Sequence, residues 1–289
     1  MVTIDRLLRE GSKKLMEADI PTPGLDAEVL LYNLLRVERF YLHMYGEKEV
    51  PEEIQKKFWI GIEKRAKHMP IQYIVNKQEF MGLDFWIEEG ILIPRADTEI
   101  LVEKVIDIYR NNYYPHMVKI IDIGTGSGAI AVSLAKYIDN CSIAAIDICP
   151  DALRVAAKNA HFHEVNNKVT FYLGDLLEPV DRREEYGTYN FVISNPPYIP
   201  KHVIDILGGG VRDYEPHLAL DGGVDGLNFY RKITVEAKKF LRKDNGYLVF
   251  EIGHDQGKDV SKILDINGFK NIEVLQDLAG LDRVIVGAT

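Results

Sequence analysis

Apolar residues recur at a helical period over positions 3–17, where Ile4, Leu7, Leu8, Leu15 and Met16 stand among charges and Thr3 occupies a cap position. Pro21 and Pro23 break that period, and a second helix is predicted from Asp26 through Leu35, with a short third over Arg39–Tyr45. Pro51 fits a first helical turn, and Ile54, Phe58, Ile62 and Ala66 space a fourth helix that stops before Pro70. Four helices in about seventy residues predict a small helical domain. Tyr41, Tyr45, Phe58 and Trp59 read as its core rather than as a partner-binding patch.

The period then changes. Phe80, Leu83, Phe85 and Ile87, then Glu88-Glu89-Gly90, then Ile91-Leu92-Ile93 predict a β-hairpin or paired strands closed by Pro94. Asp97-Thr98-Glu99 opens a helix that runs to about Tyr109. From Val118 strands and helices alternate. Strands are predicted at 118–123, 142–147, 169–173, 189–194, 245–252, 271–275 and 283–287, and helices at 128–137, 151–162, 227–242 and 257–266. Such alternation predicts an α/β fold, a Rossmann-like, mostly parallel sheet of seven strands with helices on both faces. The expected organisation is a helical domain over 1–75, a β-hairpin linker over 76–95 and an α/β domain over 96–289.

Composition narrows the class without choosing a function. With 46% hydrophobic and 27% charged residues the chain is an ordinary globular protein, long enough at 289 residues for two domains. Its net charge of −9 argues against a generic nucleic-acid-binding surface. Acidity is concentrated in the second part: residues 1–77 hold 13 basic and 12 acidic side chains, residues 78–289 hold 22 and 32. Two cysteines, Cys141 and Cys149, without CxxC spacing or a histidine cluster, predict neither a zinc site nor a disulfide framework. The first residues lack the apolar stretch of a signal peptide and no segment has the length to span a membrane, so a cytoplasmic protein is expected.

Two places carry chemistry. Ile120-Ile121-Asp122-Ile123 runs into Gly124-Thr125-Gly126-Ser127-Gly128-Ala129 and a helix, which brings backbone N–H groups close to a ligand. Asp147 ends the next strand at the distance where an acid holds a ribose diol. Gly124, Gly126 and Ala129 also satisfy the G-x-G-x-x-A form of a nicotinamide fingerprint, so this turn alone leaves the cofactor open. The second place is Asn195-Pro196-Pro197-Tyr198, at the end of a later strand. The prolines remove two N–H donors and fix the backbone, so an amide oxygen, a turn carbonyl and an aromatic ring are presented together, a set that suits a planar NH2 group. No hydride site announces itself, and an amide-reading corner beside an adenosyl cofactor points to methyl transfer from S-adenosylmethionine to nitrogen. Asp175, in Leu173-Gly174-Asp175-Leu176, is placed to meet the adenine amino group.

Several residues keep two readings. Arg95, Asp97 and Glu99 either line the cofactor entrance or belong to a capped helix start. Arg212 and Glu215 sit in a polar loop after Gly208-Gly209-Gly210 that reads as a lid, in which His217 reads as a solvated residue. Glu251 closes a strand and either faces the crevice or serves as a structural carboxylate.

Taken together the residues resemble the class I S-adenosylmethionine-dependent methyltransferases, specifically the release-factor glutamine N5-methyltransferase family. The resemblance covers nearly the whole chain. It includes the helical domain, Gln72-Tyr73-Ile74, Glu79-Phe80, Gly90 to Glu99, Asp122 to Gly128, Asp147, Asn195 to Tyr198, Glu215 to Leu220, Gly222 to Leu227 and Leu281-Asp282-Arg283. The chain departs from the family at Ala96, where proline is usual, and around Asn76, where glycine is common. Adenine-N6 and guanine-N2 methyltransferases share the Asn-Pro-Pro-Tyr motif, but not the helical domain together with Ile93-Pro94-Arg95-Ala96-Asp97-Thr98-Glu99.

The resemblance implies methylation of the Gly-Gly-Gln glutamine of class 1 peptide chain release factors, with S-adenosyl-L-homocysteine as product; the alternatives are a ribosomal-protein glutamine and an exocyclic amino group of a nucleic-acid base. It implies cofactor contacts from Gly124, Thr125, Gly126, Ser127, Gly128, Asp147, Asp175, Leu176 and Asn195. Asn195, Pro196, Pro197 and Tyr198 would hold the glutamine, with Asn195, Pro196 and Tyr198 carrying the catalysis. No metal, no membrane and no direct nucleic-acid partner is expected, and the protein is expected to be a monomer.

Overall fold

The computed structural model describes residues 2–206 and 208–289. It forms two compact units: the chain up to Lys77 together with Gly208–Tyr214, and the remainder. Among the described residues no helix is long and apolar enough to cross a membrane.

In the first unit the predicted helices are α1 (Ile4–Glu17), α2 (Pro23–Leu35), α3 (Arg39–Met44) and α4 (Glu52–Ala66). Thr3 caps α1, its Oγ1 accepting the Arg6 N–H at 3.3 Å. Ile4, Leu7 and Leu15 pack with Leu30, Leu31, Phe58 and Ile62, all fully or nearly fully buried. Burial of each such side chain contributes about 1.5–3 kcal/mol, which is what holds four short helices together. Asp26 and Arg65, both largely buried, join α2 to α4 at 2.7 Å. A fifth helix, α5 (Ile71–Val75), follows Pro70 directly and ends at Asn76, whose φ is +55°. Its five residues are too few for periodicity to reveal, and the positive φ explains the glycine expected near Asn76. Tyr45 departs from the predicted core. It is exposed, with its ring 4.6 Å from that of Tyr41, because α3 ends one residue earlier.

The second unit opens with a hairpin, β1 (Lys77–Phe80) and β2 (Leu83–Trp86). Its turn is Met81-Gly82, both at positive φ, and not Glu88–Gly90. Ile91-Leu92-Ile93 forms no strand. Its apolar pattern reflects burial, for Ile91 packs on Ala152 and Val155 of α8 (Pro150–Phe162). The hairpin is docked on that same helix, where Asn159 Oδ1 accepts the Trp86 N–H at 2.8 Å and Asn159 Nδ2 donates to the Trp86 carbonyl at 3.1 Å.

A seven-stranded sheet follows: β3 (Val118–Ile123), β4 (Cys141–Asp147), β5 (Val169–Leu173), β6 (Phe191–Ser194), β7 (Tyr247–Glu251), β8 (Lys270–Gln276) and β9 (Asp282–Ala288). The spatial order is β5-β4-β3-β6-β7-β9-β8, parallel except for β9, which runs antiparallel to both neighbours. Helices α6 (Glu99–Asn112), α7 (Ala129–Tyr137), α8, Asn228–Phe240 and Gly257–Ile266 pack around it. One core cluster runs through Ile121, Val192, Leu248, Phe250, Tyr230 and Phe240. The chain winds from β3 outward to β5, then returns to place β6 on the other side of β3. That reversal opens a crevice at the carboxyl ends of β3 and β6.

Candidate active site

Register fixes the centre of the site. Ile123 of β3 pairs with Ser194 of β6, and Ser194 pairs with Phe250 of β7. Gly124 and Asn195, each one step beyond its strand, and Glu251, the last residue of β7, therefore lie side by side at one edge, although 127 positions separate the first from the last. Ser194 locks the join, its hydroxyl donating to the Ile123 carbonyl at 2.8 Å.

The glycine turn is tied to Asp147 from two sides. Asp147 Oδ2 accepts the Gly126 N–H at 2.8 Å and Oδ1 accepts the Cys149 N–H at 2.9 Å. Burial raises the Asp147 pKa, while these backbone donors pull it down. Gly124 and Gly126 have positive φ (+71° and +57°), and space is open where a Cβ would stand. A side chain there would be strained and would fill the crevice. Asp122 lies beneath the turn. Its carboxyl is fully buried, accepts the Thr125 hydroxyl at 2.6 Å and is pushed by burial up to about 7.

A cavity of about 960 Å³, its open mouth included, spans these elements. Gly124, Gly126, Asp147, Asp175, Leu176, Asn195, Pro196 and Pro197 all line it. Thr125, Ser127, Gly128 and Tyr198 do not. Thr125 turns inward to Asp122, the Ser127 carbonyl accepts from Asn159 at 2.8 Å, and Gly128 abuts Ala156 where the two helices meet. Tyr198 turns away from the cavity toward the core. Its hydroxyl donates to Glu251 Oε1 at 3.3 Å, and burial with the adjacent carboxylate raises its pKa.

The Asn195–Tyr198 segment is braced from behind. Gln256 Nε2 donates to the Tyr198 carbonyl at 3.0 Å, and Ile199 exchanges backbone hydrogen bonds with Leu220 and Gly222. Asn195 Nδ2 donates to Thr98 Oγ1 at 3.3 Å, and Thr98 donates onward to Glu251 Oε2 at 2.5 Å. Glu251 is buried, and that burial pushes its pKa up to about 7 against the pull of Thr98 and Arg283.

Of the two readings of Asp97 and Glu99, the capped helix start does not form, for no side chain caps α6. Thr98 reaches Glu251, Glu99 Oε1 accepts the Met81 N–H at 2.6 Å, and Asp97 lies 3.2 Å from Arg283. Arg95 donates to the buried Glu215 at 2.5 Å, which holds the turn that carries the lining residues Pro216, Leu218 and Ala219. Burial raises the Glu215 pKa against the pull of Arg95. His217 is exposed and opens a short 3-10 turn, His217–Ala219. Arg212 is exposed and ends the helical turn Gly209–Arg212 of the first unit.

Gln256 and the apolar lining residues Ile91, Phe229 and Ile233 were not singled out by sequence. The three apolar residues sit in segments whose pattern is also that of plain core, and Gln256 stands in a polar run between Gly253 and Gly257, so nothing local marks any of them.

Chemically, the cavity offers the Asp147 carboxylate beside the glycine turn, apolar walls, and the Asn195 amide followed by two prolines. The residues fit an adenosyl ligand. Asp147 suits a ribose diol, Asp175 an amino group, and Ile148, Leu176 and Phe229 a flat ring.

Comparison with known proteins agrees with this geometry. The PrmC N-terminal domain family matches residues 6–75 and the methyltransferase small domain family residues 97–208. The release factor glutamine methyltransferase of Clostridium acetobutylicum is 45% identical over 262 residues, covering 90% of either chain. That of Geobacter sulfurreducens is 38% identical over 287 residues, covering 99% of this chain and 96% of its own. The crystal structure of a methyltransferase from Pyrococcus furiosus, 17% identical, shares the fold with a TM-score of 0.51 over 72% of this chain and 89% of that one. Identity of this order, spread over nearly the full length, makes the chain a member of the release factor glutamine methyltransferase family.

Proposed function

We propose that this protein transfers the methyl group of S-adenosylmethionine to the side-chain amide nitrogen of the glutamine in the Gly-Gly-Gln motif of class 1 peptide chain release factors. The observation that carries the reading is the pairing of β3 with β6, which puts Asn195 and Pro196 in the same cavity as Gly124, Gly126 and Asp147. S-adenosylmethionine, when bound, supplies an electrophilic methyl on a sulfonium centre.

The chain's residues then divide the work. Gly126 and Asp147, with Asp175 and Leu176, hold the nucleoside end. An amide nitrogen is a weak nucleophile because its lone pair is delocalised into the carbonyl. Asn195 Oδ1 and the Pro196 carbonyl accept its two N–H groups, which fixes the nitrogen in line for attack and favours the positive charge that develops there. Positioning of this kind supplies on the order of 7–11 kcal/mol of barrier reduction. Pro197 shapes the same corner, and Tyr198 fixes it from the core side. The displaced proton leaves to water. The substrate's own amide needs two acceptors, and the donation of Asn195 Nδ2 to Thr98 leaves Oδ1 free to act as one of them.

Mass spectrometry of an unmethylated release factor, after incubation with the protein and S-adenosylmethionine, tests this. A single added methyl on the Gly-Gly-Gln glutamine, lost with Asn195→Ala while cofactor binding persists, is expected. Wild-type protein that binds S-adenosylmethionine and leaves that glutamine unmodified would sink the reading.

A further inference from the structure

An asparagine amide has two ends of nearly equal shape and opposite polarity. For Asn195 to accept from a substrate N–H, its oxygen must face the cavity and its NH2 must face the protein. Nothing in the side chain itself decides this. The choice is made by what the protein offers at the inner end, and there the structure places a chain of two residues. Thr98, 4% exposed, has one hydroxyl proton and two acceptor lone pairs. Glu251, 2% exposed, has only acceptors when ionised.

We propose that Thr98 and Glu251 are positioning residues for the transfer step: the Glu251 carboxylate accepts the one hydrogen bond the Thr98 hydroxyl can donate, Thr98 is left able only to accept from Asn195 Nδ2, and the Asn195 oxygen is thereby turned to the cavity. This inference rests on the proposed glutamine methylation and adds the device that sets the polarity of its amide-reading corner.

The distances follow the direction of donation. Asn195 Nδ2 lies 3.3 Å from Thr98 Oγ1, and Thr98 Oγ1 lies 2.5 Å from Glu251 Oε2. Turning the Asn195 amide over would require the Thr98 proton to point at Asn195 Oδ1, which strips Glu251 Oε2 of its donor in a fully buried place. The other carboxylate oxygen is already engaged by the Tyr198 hydroxyl at 3.3 Å. No member of the chain can reorient without leaving a charged, buried oxygen unpaired.

Protonation of Glu251 removes the compulsion. A neutral carboxyl can donate to Thr98, Thr98 can then donate to Asn195, and the amide is free to face either way. The groups that set this protonation are Arg283 of β9, Asp97 before α6 and Tyr198 after β6, while Tyr230 of helix Asn228–Phe240 donates to the Glu251 main-chain carbonyl at 3.0 Å. Burial moves the Glu251 equilibrium up to about 7, so the device titrates near neutral pH. Asp122 titrates in the same range but lies beneath the glycine turn with no bond to Asn195, Thr98 or Glu251, so its titration does not act through this relay.

The test compares the wild type with Thr98→Val, Thr98→Ser and Glu251→Gln. Methyl transfer to a release factor is measured at saturating S-adenosylmethionine from pH 5.5 to 9. Thr98→Val is expected to lose kcat by about 10- to 100-fold, with the KM for S-adenosylmethionine within about threefold, and Thr98→Ser to restore most of it. Wild-type kcat is expected to fall to a plateau as pH drops below about 7. Glu251→Gln should sit on that plateau at every pH. A second readout needs no substrate: the 15N side-chain signal of Asn195, identified by its loss in Asn195→Asp, should shift with pH through the same midpoint in the wild type and stay fixed in Glu251→Gln. Wild-type protein that leaves the release factor unmethylated overturns the functional reading and does not touch this signal. An Asn195 signal indifferent to pH, a kcat of Thr98→Val within threefold of wild type, or an acid limb that persists in Glu251→Gln overturns the relay.

Discussion

Replacing Gly226 by alanine tests whether the loop behind Asn195–Tyr198 sets the geometry of the site. Gly226 has φ +74°, and a Cβ built on it would lie 2.3 Å from the Tyr198 carbonyl oxygen and 2.7 Å from Gln256 Nε2. Two separate penalties follow. The left-handed backbone costs an L-residue about 1–2 kcal/mol. The methyl group also overpacks a site that cannot give way, for about another 1–3 kcal/mol. Real Cβ atoms essentially never approach within 3.0 Å, so the Tyr198 carbonyl must retreat by at least about 0.7 Å, breaking its bond from Gln256. Asn195 and Pro196 are three and two residues up the same chain, and a displacement of order 1 Å at a reacting centre costs about a hundredfold in rate.

Gly187 supplies the control. It has φ +67°, and no atom lies within 4 Å of its virtual Cβ, so Gly187→Ala carries the backbone penalty alone. Calorimetry is expected to show Tm lowered in both variants, by about 2–4 °C for each kcal/mol and further in Gly226→Ala. Methyl transfer should fall by about a hundredfold only in Gly226→Ala, with S-adenosylmethionine affinity retained because Gly124 and Gly126 are untouched. Wild-type turnover in Gly226→Ala, or equal damage from Gly187→Ala, would refute the reasoning.

Two further outcomes are expected. Asp147→Ala removes the acceptor of the Gly126 and Cys149 N–H groups together, and S-adenosylmethionine affinity by calorimetry should fall about 10- to 100-fold; unchanged affinity would detach Asp147 from the cofactor. Asp122 and Glu251, whose folded pKa values rise from 3.8 and 4.5 to about 7, contribute stability that is fully present below those ordinary values and is lost as pH rises through about 7, on the order of 3 kcal/mol each. Glu88, held at about 2 chiefly by Arg154, works in the opposite sense at a half-buried, solvent-screened site, its small contribution present above 4.5 and lost as pH falls through about 2. Tm should therefore increase from pH 8 to pH 5 before it drops in stronger acid, and a Tm that climbs steadily from pH 5 to pH 8 would contradict this.

Strand positions were legible because each buried parallel strand is an apolar run bounded by glycine or charge. Ile120-Ile121-Asp122-Ile123 against Gly124 is one such case, and β3 begins and ends where that pattern puts it. What misled was burial without pairing. Ile91-Leu92-Ile93 alternates as a strand does, but Ile91 faces α8, and the hairpin turns earlier at Met81-Gly82. Asp97-Thr98-Glu99 misled in the opposite way. Its spacing is that of a local cap, yet all three side chains have distant partners in Arg283, Glu251 and the Met81 N–H. A local rule cannot reveal that a longer-range interaction has outcompeted it.

The site divides along the same line. Asp147 and Asn195 were legible because each ends its own strand, and a parallel sheet brings strand ends to one edge whatever the order of the strands. Thr98 and Glu251 depend on that order. They are 153 residues apart and touch where the start of α6 meets the end of β7, and Asn195 reaches them because β6 lies beside β7. From sequence, Glu251 divides evenly between a functional acid and a structural carboxylate, and in the folded chain that distinction dissolves. Glu251 does not line the cavity and stands behind Asn195 and Thr98, out of line to act as a base on the substrate. Asn195 carries no charge and cannot orient itself. An uncharged amide that must discriminate donor from acceptor needs a neighbour whose own polarity is not in question, and a buried carboxylate is the strongest such reference available to a protein. The energy spent keeping that acid out of water is what gives the amide its direction.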